Sequence, residues 1–453
     1  MRRNAISPAS HSILSRTVRA GLMATLLAGV STGAMAQLSA QDISRLGADL
    51  TGAGAIKAGN ADGSIPAYTG GLGKDVTGNP FASEKPLYTI TAANAAQYRD
   101  KLTTGQLALL ERYPTYKINV YPSHRTASLP QAQLDYIKSE AATAKLANGG
   151  NGVQGVEHST VPFPIPQTGV EPMWNHMMRY RGGNTQKNTT EFPVHTDGNF
   201  TPVRRIEWLA RAADIGSPEP NRMQYYKNLV TAPSSIAGEA ILTHDPLDQV
   251  AETRLAWTYN PGQRRVLRAP SVSYDSPGTG TDGLRTMDDY DGYNGAPDRF
   301  DWKLIGKKEI IIPYNNFALA DKSVKYKDVI KPNHIDQDLV RYELHRVWVV
   351  EATVKSGVRH IYSKRQFYID EDSWHIAIKD QYDGRGELWR VHEMYLKPVP
   401  EHQIMEHAAS SMYDLQARRY IVHNLNNEEK PARYGVKYEL NQFSPDSLRR
   451  IGN

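Results

Sequence analysis

Residues 342–354 constrain this chain more than any other stretch. Tyr342, Leu344, Trp348, Val350, Ala352 and Val354 fall on one parity, with Arg346 the exception; Arg341, Glu343, His345, Glu351 and Thr353 fall on the other. An apolar period of two marks a half-buried antiparallel strand, because successive side chains point to opposite faces. Lys355-Ser356-Gly357 reads as a tight connection into a strand over 358–369. Asp370-Glu371-Asp372 then turns the chain into 373–379, where Trp374, Ile376 and Ile378 share a face. Tyr382-Asp383-Gly384-Arg385-Gly386 turns it again into 387–396. Four consecutive strands make a meander. Upstream, Thr253, Leu255, Trp257 and Tyr259 alternate before Asn260-Pro261-Gly262 and a return over 263–268, and Trp302, Leu304, Ile310, Ile312 and Tyr314 mark another long strand or pair. About nine to eleven antiparallel strands are expected, and a sheet that wide curls and needs cover on its apolar face.

Helical signals lie upstream. Residues 91–112 read as two pieces broken near Thr103-Thr104-Gly105. The stretch 128–148 is the clearest helix: Ser128 and Gln131 suit a capping box, Pro130 is tolerated in the first turn, and Asn148-Gly149-Gly150 ends it. Residues 51–80 hold eight glycines and read as extended surface loop. Pro162, Pro164 and Pro166 force an extended strip, and a short helix from Pro172 carries Trp174, Met177 and Met178. All seven Trp lie between Trp174 and Trp389. The expected organisation is therefore one domain over 37–453, with a Gly-rich and helical extension (37–150) packed on a β core (about 160–425).

Residues 1–36 read as a secretory signal peptide. Arg2, Arg3, Arg16 and Arg19 precede an apolar run, Ala20 to Val30, too short to span a bilayer, and Ala34-Met35-Ala36 is an A-x-A cleavage site. The Gly29-Val30-Ser31-Thr32-Gly33 match to a hydrolase nucleophile elbow falls inside this segment and would leave with it. The formal charge of +5 is misleading for the same reason: without those four arginines, 49 of the 53 cationic residues remain against 48 acids. Such a balance argues against a general nucleic-acid binder. With no Cys there is no disulfide, thiolate metal site, Cys nucleophile or lipidated Cys. The expected location is the periplasm of a Gram-negative bacterium.

Candidate chemistry is sparse. His345, His360, His375 and His392 would sit one per strand. Hairpins centred near residues 356, 371 and 383–384 would set His375 across from His392, but the polar parity of His345 and His375 makes solvent-facing histidines the expectation. Asp288, Asp289, Asp291, Asn294, Asp298 and Asp301 cluster around Gly292 and Gly295. The spacing fails the EF-hand pattern, with Tyr293 at the fifth position and no terminal Glu, so a solvated turn is expected. Gly278-Thr279-Gly280-Thr281-Asp282-Gly283 matches G-x-G-x-x-G but leads into the acidic loop rather than a helix. Arg264, Arg265 and Arg268 read as a charged sheet edge, or as a strip for an acidic partner. The 25 Tyr and seven Trp against eight Phe suit a cavity wall and an ordinary core equally.

Several long segments resemble a family of secreted proteobacterial proteins catalogued as a domain of unknown function. They are Trp257-Thr258-Tyr259-Asn260-Pro261-Gly262-Gln263-Arg264-Arg265-Val266, Asp301-Trp302-Lys303-Leu304-Ile305-Gly306-Lys307-Lys308-Glu309, Arg341-Tyr342-Glu343-Leu344-His345-Arg346-Val347-Trp348-Val349-Val350-Glu351-Ala352 and Tyr413-Asp414-Leu415-Gln416-Ala417. That family is grouped by fold with outer-membrane lipoprotein-sorting proteins of the LolA/LolB/LppX type. The resemblance implies a mainly β, α+β fold: a curved antiparallel half-barrel whose concave apolar face is covered by helices and holds a lipid or other hydrophobic molecule. It also implies outer-membrane and RND-type envelope partners and supplies no catalytic residues to carry over; from the residues, no cofactor and no metal are expected.

The expected function is a periplasmic carrier or chaperone for a hydrophobic molecule. The alternatives are a non-catalytic accessory subunit of an RND-type export assembly and a hydrolase acting on hydrophobic esters. By strand parity, Tyr342, Leu344, Trp348, Val350, Trp374, Ile376 and Ile378 form the ligand wall. Arg346, the odd charge on that face, binds a ligand carboxylate or phosphate or an internal acid. Cleavage after Ala36 predicts Gln37 as the first residue of the exported protein. Intact-mass measurement of periplasmic material checks this, and retention of residues 1–36 would contradict it.

Overall fold

The meander forms where the alternation places it, but inside a much wider sheet. The computed structural model describes residues 37–269 and 274–451; residues 1–36, expected to be a signal peptide, and their Gly29–Gly33 motif lie outside them. Along the chain the strands are β1 (Tyr88–Ile90), β2 (Ile118–Val120), β3 (Lys145–Ala147), β4 (Gly152–Gln154), β5 (Thr185–Val194), β6 (Val203–Arg211), β7 (Gln224–Ala232), β8 (Ala240–Asp245), β9 (Leu255–Asn260), β10 (Arg265–Arg268), β11 (Phe300–Pro313), β12 (Tyr342–Val354), β13 (Lys364–Asp370), β14 (Ile376–Tyr382), β15 (Leu388–Val399), β16 (Ile404–Asp414), β17 (Arg419–His423) and β18 (Arg433–Tyr434). The helices are α1 (Ala40–Arg45), α2 (Thr104–Arg112), α3 (Gln131–Glu140), α4 (Glu171–Met178), α5 (Tyr326–Val329) and α6 (Pro445–Ile451).

Sixteen strands join one sheet in the order β1-β2-β12-β13-β14-β15-β16-β17-β5-β6-β7-β8-β9-β10, with β11 beside β12 and β18 beside β5. The pairing is antiparallel except between β2 and β12. The ends of this path do not pair, so the sheet is open, yet it curls: β11 enters beside β12, and just beyond it the Asn316 N–H donates to Leu396 O of β15. The fold is α+β and mainly β, as expected. The strand count exceeds nine to eleven because strands such as β5 (TQKNTTEFPV) and β6 (VRRIEWLAR) carry too many polar residues to show an apolar period.

The connections correct the expected register. Nine residues, 355–363, join β12 to β13 where a tight turn was expected. Val350 therefore faces Phe367, where hairpins centred near 356 would have set His345; Phe367 faces Lys379; and Lys379 faces His392. His375 lies in the turn before β14 and is not across from His392. A bulge between β13 and β14 sets Ile376 opposite Ile369 but Ile378 opposite Tyr368, so these two isoleucines do not share a face. Trp374 precedes the strand in a left-handed conformation (φ 59°).

The helices also depart from expectation. α3 starts at Gln131 with Pro130 as its cap and no side-chain cap bond, and the chain is already extended again at Lys145. The capping box belongs to α2: Thr103 Oγ1 accepts from the Gln106 N–H, and Gln106 Oε1 accepts from the Thr103 N–H. The Gly-rich arm is not all surface. Thr51, Ala53, Ala55 and Ile65 are buried, and Ala53 O accepts from Trp374 Nε1 at 2.9 Å. Gly54, at φ +94°, runs so close to Pro164 O that a Cβ would come within 1.9 Å of it.

α2 lies equally close to β14 and β15. A Cβ on Gly105 would fall 2.2 Å from Asp380 Oδ1 and 2.6 Å from Val391 Cγ1, and the Gly105 N–H donates to Asp380 Oδ2 at 3.1 Å. In an isolated helix Gly→Ala gains about 1 kcal/mol. Here overpacking outweighs it, and Gly105→Ala is expected to lower stability by about 1–3 kcal/mol in urea unfolding. A gain in stability would contradict this packing.

Candidate functional site

Register assembles one face of the sheet from residues far apart in sequence. Phe367, Lys379, His392 and Met412 lie opposite one another in successive strands, as do Arg365, Gln381, Arg390 and Asp414. Farther along, Ser410 faces His423, His423 faces Glu191, and Lys187, Glu207, Asn228 and Ile241 continue the row across β5 to β8. This face is dense in charge, where an apolar face was expected.

The cover over it is the irregular segment 274–299, here called the strap. Asp288, Asp289 and Asp291, expected in a solvated turn, are buried against the sheet; Asp298 is half-buried and Asp301 exposed. Asp288 accepts from Arg365 Nη1 (2.9 Å) and meets His360 Nε2 (3.0 Å). Asp289 pairs with Lys379 Nζ and accepts from Gln381 Nε2 and Tyr362 OH, both at 2.9 Å. Asp291 takes Arg179 Nη2 at 2.9 Å on both oxygens, and Arg181 as well. In the other sense, Arg285 of the strap donates to Glu191 (2.7 Å), which Arg205 also holds (2.7 Å). Asp288, Asp289 and Asp291 are each paired with different cations, and among the described residues the strap acids do not bring three donor atoms together, as a calcium loop requires. The G-x-G-x-x-G stretch is part of the same strap, where Gly283 O accepts from Arg390 Nη2 at 2.8 Å.

Burial alone would push these carboxyls up, but the cations win. Arg365 and His360 hold Asp288 down at about 2. Lys379 and Arg365 hold Asp289, and Arg179 and Arg181 hold Asp291, well below the carboxylate range. Arg285 and Arg205 bring Glu191 to about 2. The histidines move the other way. Burial lowers His375, His392 and His407 and brings His423 down to about 3, so they are neutral imidazoles at pH 7.

Between strap and sheet runs a cleft. One end is lined by Tyr226, Asn228, Ile241 and Thr243 of the sheet and by Met287, Tyr290 and Asn294 of the strap, with Arg205, Arg254 and Arg285 at its margin. The other is charged, with Arg181, Lys187, Asp291 and Glu406. Glu207 sits between them, accepting from Tyr226 OH (2.9 Å) and Tyr290 OH (2.8 Å). The cavity at the first end is ≈ 50 Å³, enough for a few waters and far below the roughly 300–1,000 Å³ of a small-molecule pocket.

The expected wall residues lie elsewhere, and none lines this cleft. Trp348, Val350, Trp374, Ile376 and Ile378 pack in one hydrophobic cluster, Tyr342 and Leu344 in another. Trp348 stacks on Trp374 with centroids 6.3 Å apart. Arg346 is engaged internally, donating to Glu371 Oε1 (3.1 Å) and Ala58 O (2.8 Å). His345 and His375 are buried, not solvent-facing. Arg264 precedes the terminal strand β10, and Arg265 and Arg268 are its first and last residues, as a charged edge requires. Sequence reasoning missed Arg179, Arg181, Lys187, Glu207 and Tyr290. The available signal was the surplus of cations on strands of mixed parity together with three acids in one loop.

A family model described as "Protein of unknown function (DUF1329)" matches residues 89–449. An uncharacterized protein of Pseudomonas aeruginosa is 50% identical over 438 residues, covering 93% of this chain and 96% of its own. Among solved structures, the chain is similar to a DUF1329 family protein from Desulfovibrio piger (14% identity, TM-score 0.42, 59% of this chain and 92% of that one). It is also similar to a LolA superfamily protein from Nitrosomonas europaea (14% identity, TM-score 0.39, 62% of this chain and 100% of that one). At these TM-scores the structural likeness carries no functional argument.

The opposite face holds a second polar centre. Glu393 is buried in a cage of tyrosines, accepting from Tyr116 OH (2.9 Å) and Tyr342 OH (3.2 Å). Burial raises it to about 7 against the pull of those hydroxyl donors. A carboxyl raised in the folded state keeps its proton while the unfolded chain has lost it. Its contribution therefore falls as pH rises from about 4.5 to 7, and the lowered histidines act in the opposite sense as pH drops below about 6.5. Comparing wild type with Glu393→Gln isolates the first term. The variant should gain up to roughly 3 kcal/mol relative to wild type between pH 4.5 and 7. A difference independent of pH would contradict the raised value.

Proposed function

This chain belongs to the DUF1329 family, and from that premise we propose that it is a non-catalytic binding protein of the bacterial envelope that holds an amphiphilic molecule between the β5–β8 surface and the strap. The observation that carries this reading is the two-ended chemistry of the cleft. Ile241, Met287 and the rings of Tyr226 and Tyr290, 5.3 Å apart, suit an apolar chain; Arg181 and Lys187 suit a polar or anionic head. Each buried CH₂ of such a ligand contributes about 0.8 kcal/mol.

The closed cleft is too small for an acyl chain, so the ligand enters with the strap displaced. A strap held by ion pairs suits this role. Charges that leave their partners regain water, which offsets much of the lost attraction, whereas an apolar lid would expose its packing surface. In this reading residues 1–36 direct export and the mature chain works in the periplasm. No helix among the described residues is long and apolar enough to cross a membrane.

Native mass spectrometry of residues 37–453, purified from the periplasm without detergent and followed by solvent extraction, tests the proposal. The expected result is a discrete added mass that extracts as an amphiphile. Ile241→Glu should reduce its occupancy at least tenfold, since an unpaired charge against an apolar chain costs well over about 1.4 kcal/mol. Trp348→Asp, at a wall position outside the cleft, should leave it bound. A clean apo mass from wild type, or loss with Trp348→Asp alone, would contradict the cleft as the site.

A further inference from the structure

We infer that His345, Asp370 and Asp372 form a site for one divalent metal ion, with zinc the best match, at the join between the N-terminal arm and the meander. Among the described residues this is the only cluster of His, Asp or Glu in which three donor atoms come within 4.8 Å of one another. The three residues arrive from different elements: His345 from near the start of β12, Asp370 from the last position of β13, and Asp372 from the turn that follows. All three are buried, at 1%, 0% and 8% exposure.

Closeness of acids alone would not make a site, but the Asp370 carboxyl is incomplete as it stands. Its Oδ2 accepts from the Ser373 N–H (3.0 Å), Ser373 Oγ (2.6 Å) and Tyr314 OH (3.3 Å). Its Oδ1 is buried and meets no donor. A buried carboxylate oxygen left without a donor calls for a proton or a cation.

The surroundings favour the cation. His345 Nε2 faces Glu343 Oε2 at 3.0 Å, and Glu343 is itself held by the His124 N–H (2.8 Å) and Asn315 Nδ2 (2.9 Å). An imidazole that gives one N–H to a carboxylate presents its lone pair on the other nitrogen, which is the usual support of a metal-bound histidine. Tyr314 stacks on the His345 ring at 3.9 Å and fixes its plane. Asp372 is oriented by Arg125, which donates from Nε (2.8 Å) and Nη2 (2.6 Å), leaving further lone pairs on the carboxylate. One imidazole nitrogen and two carboxylate oxygens, with water as a fourth ligand, make a donor set that zinc accepts.

The consequence is structural. Arg125 also donates to Lys57 O (3.2 Å), and Trp374, two residues beyond Asp372, donates to Ala53 O. A metal here would tie the arm, through Asp372 and Arg125, to the strand that carries His345. This inference does not depend on the cleft or its ligand.

The test is metal content and stability of residues 37–453 after chelator treatment, dialysis against ZnCl₂ and removal of free metal. The expected result is about one zinc per chain and, with free zinc restored to about a hundredfold over Kd, an unfolding midpoint raised by about 2–5 °C. Asp370→Asn and His345→Gln should each lower the zinc content at least tenfold and abolish the shift, with circular dichroism confirming the fold of each variant. If one variant fails to fold, the other decides. No zinc above background in wild type, or zinc retained by both variants, would overturn the site and leave a proton as the partner of Asp370.

Discussion

Lys379 and Asp289 form an ion pair in which neither side chain reaches solvent, and the rest of the covered face follows from it. Taking one charge out of water costs several kcal/mol, which only a well-placed partner offsets. The strand carrying Lys379 therefore cannot be buried unless the strap comes with it, and the strap cannot leave three carboxylates under the sheet unless Arg365, Lys379, Arg179 and Arg181 are there to meet them. Glu191 poses the same requirement in reverse for Arg205 and Arg285. Strap and sheet are mutually dependent through charge more than through apolar contact.

That dependence shapes the cleft. Because the seam is polar, the space it leaves is lined by hydroxyls, amides and charges, with apolar patches only at Ile241, Met287 and the tyrosine rings. The molecule keeps its apolar packing elsewhere, in the clusters around Trp174, Trp374 and Phe367 and around Tyr116, Tyr342 and Tyr413. The residues expected to form one apolar face open to ligand pack in these clusters, beside a charged, two-ended cleft.

The meander and the 255–268 hairpin were legible because period-two alternation reports directly on backbone direction. The registers were not, because a nine-residue connection and a bulge at Ala377 shift pairing without leaving a mark on residue type. β14 shows the deeper limit. In Ile376–Tyr382 every residue is buried on both parities, and Lys379 and Asp380, which point to opposite faces, each have a buried partner far away in sequence, in Asp289 and in the N-terminus of α2. Arg346 was legible as an anomaly but not its partner Glu371. Alternation names the face on which a charge lies; it does not name the loop that covers that face.

A double-mutant cycle on Asp289 and Lys379, read by urea unfolding, tests most directly whether the seam organises this fold. The account predicts that Asp289→Asn and Lys379→Met each cost about 3–5 kcal/mol. It predicts further that the double variant is more stable than the sum of the two costs allows by at least about 2 kcal/mol, since neither charge is then left unpaired. Costs that add to within about 0.5 kcal/mol would mean that strap and sheet are not energetically joined at this pair, and would contradict the account.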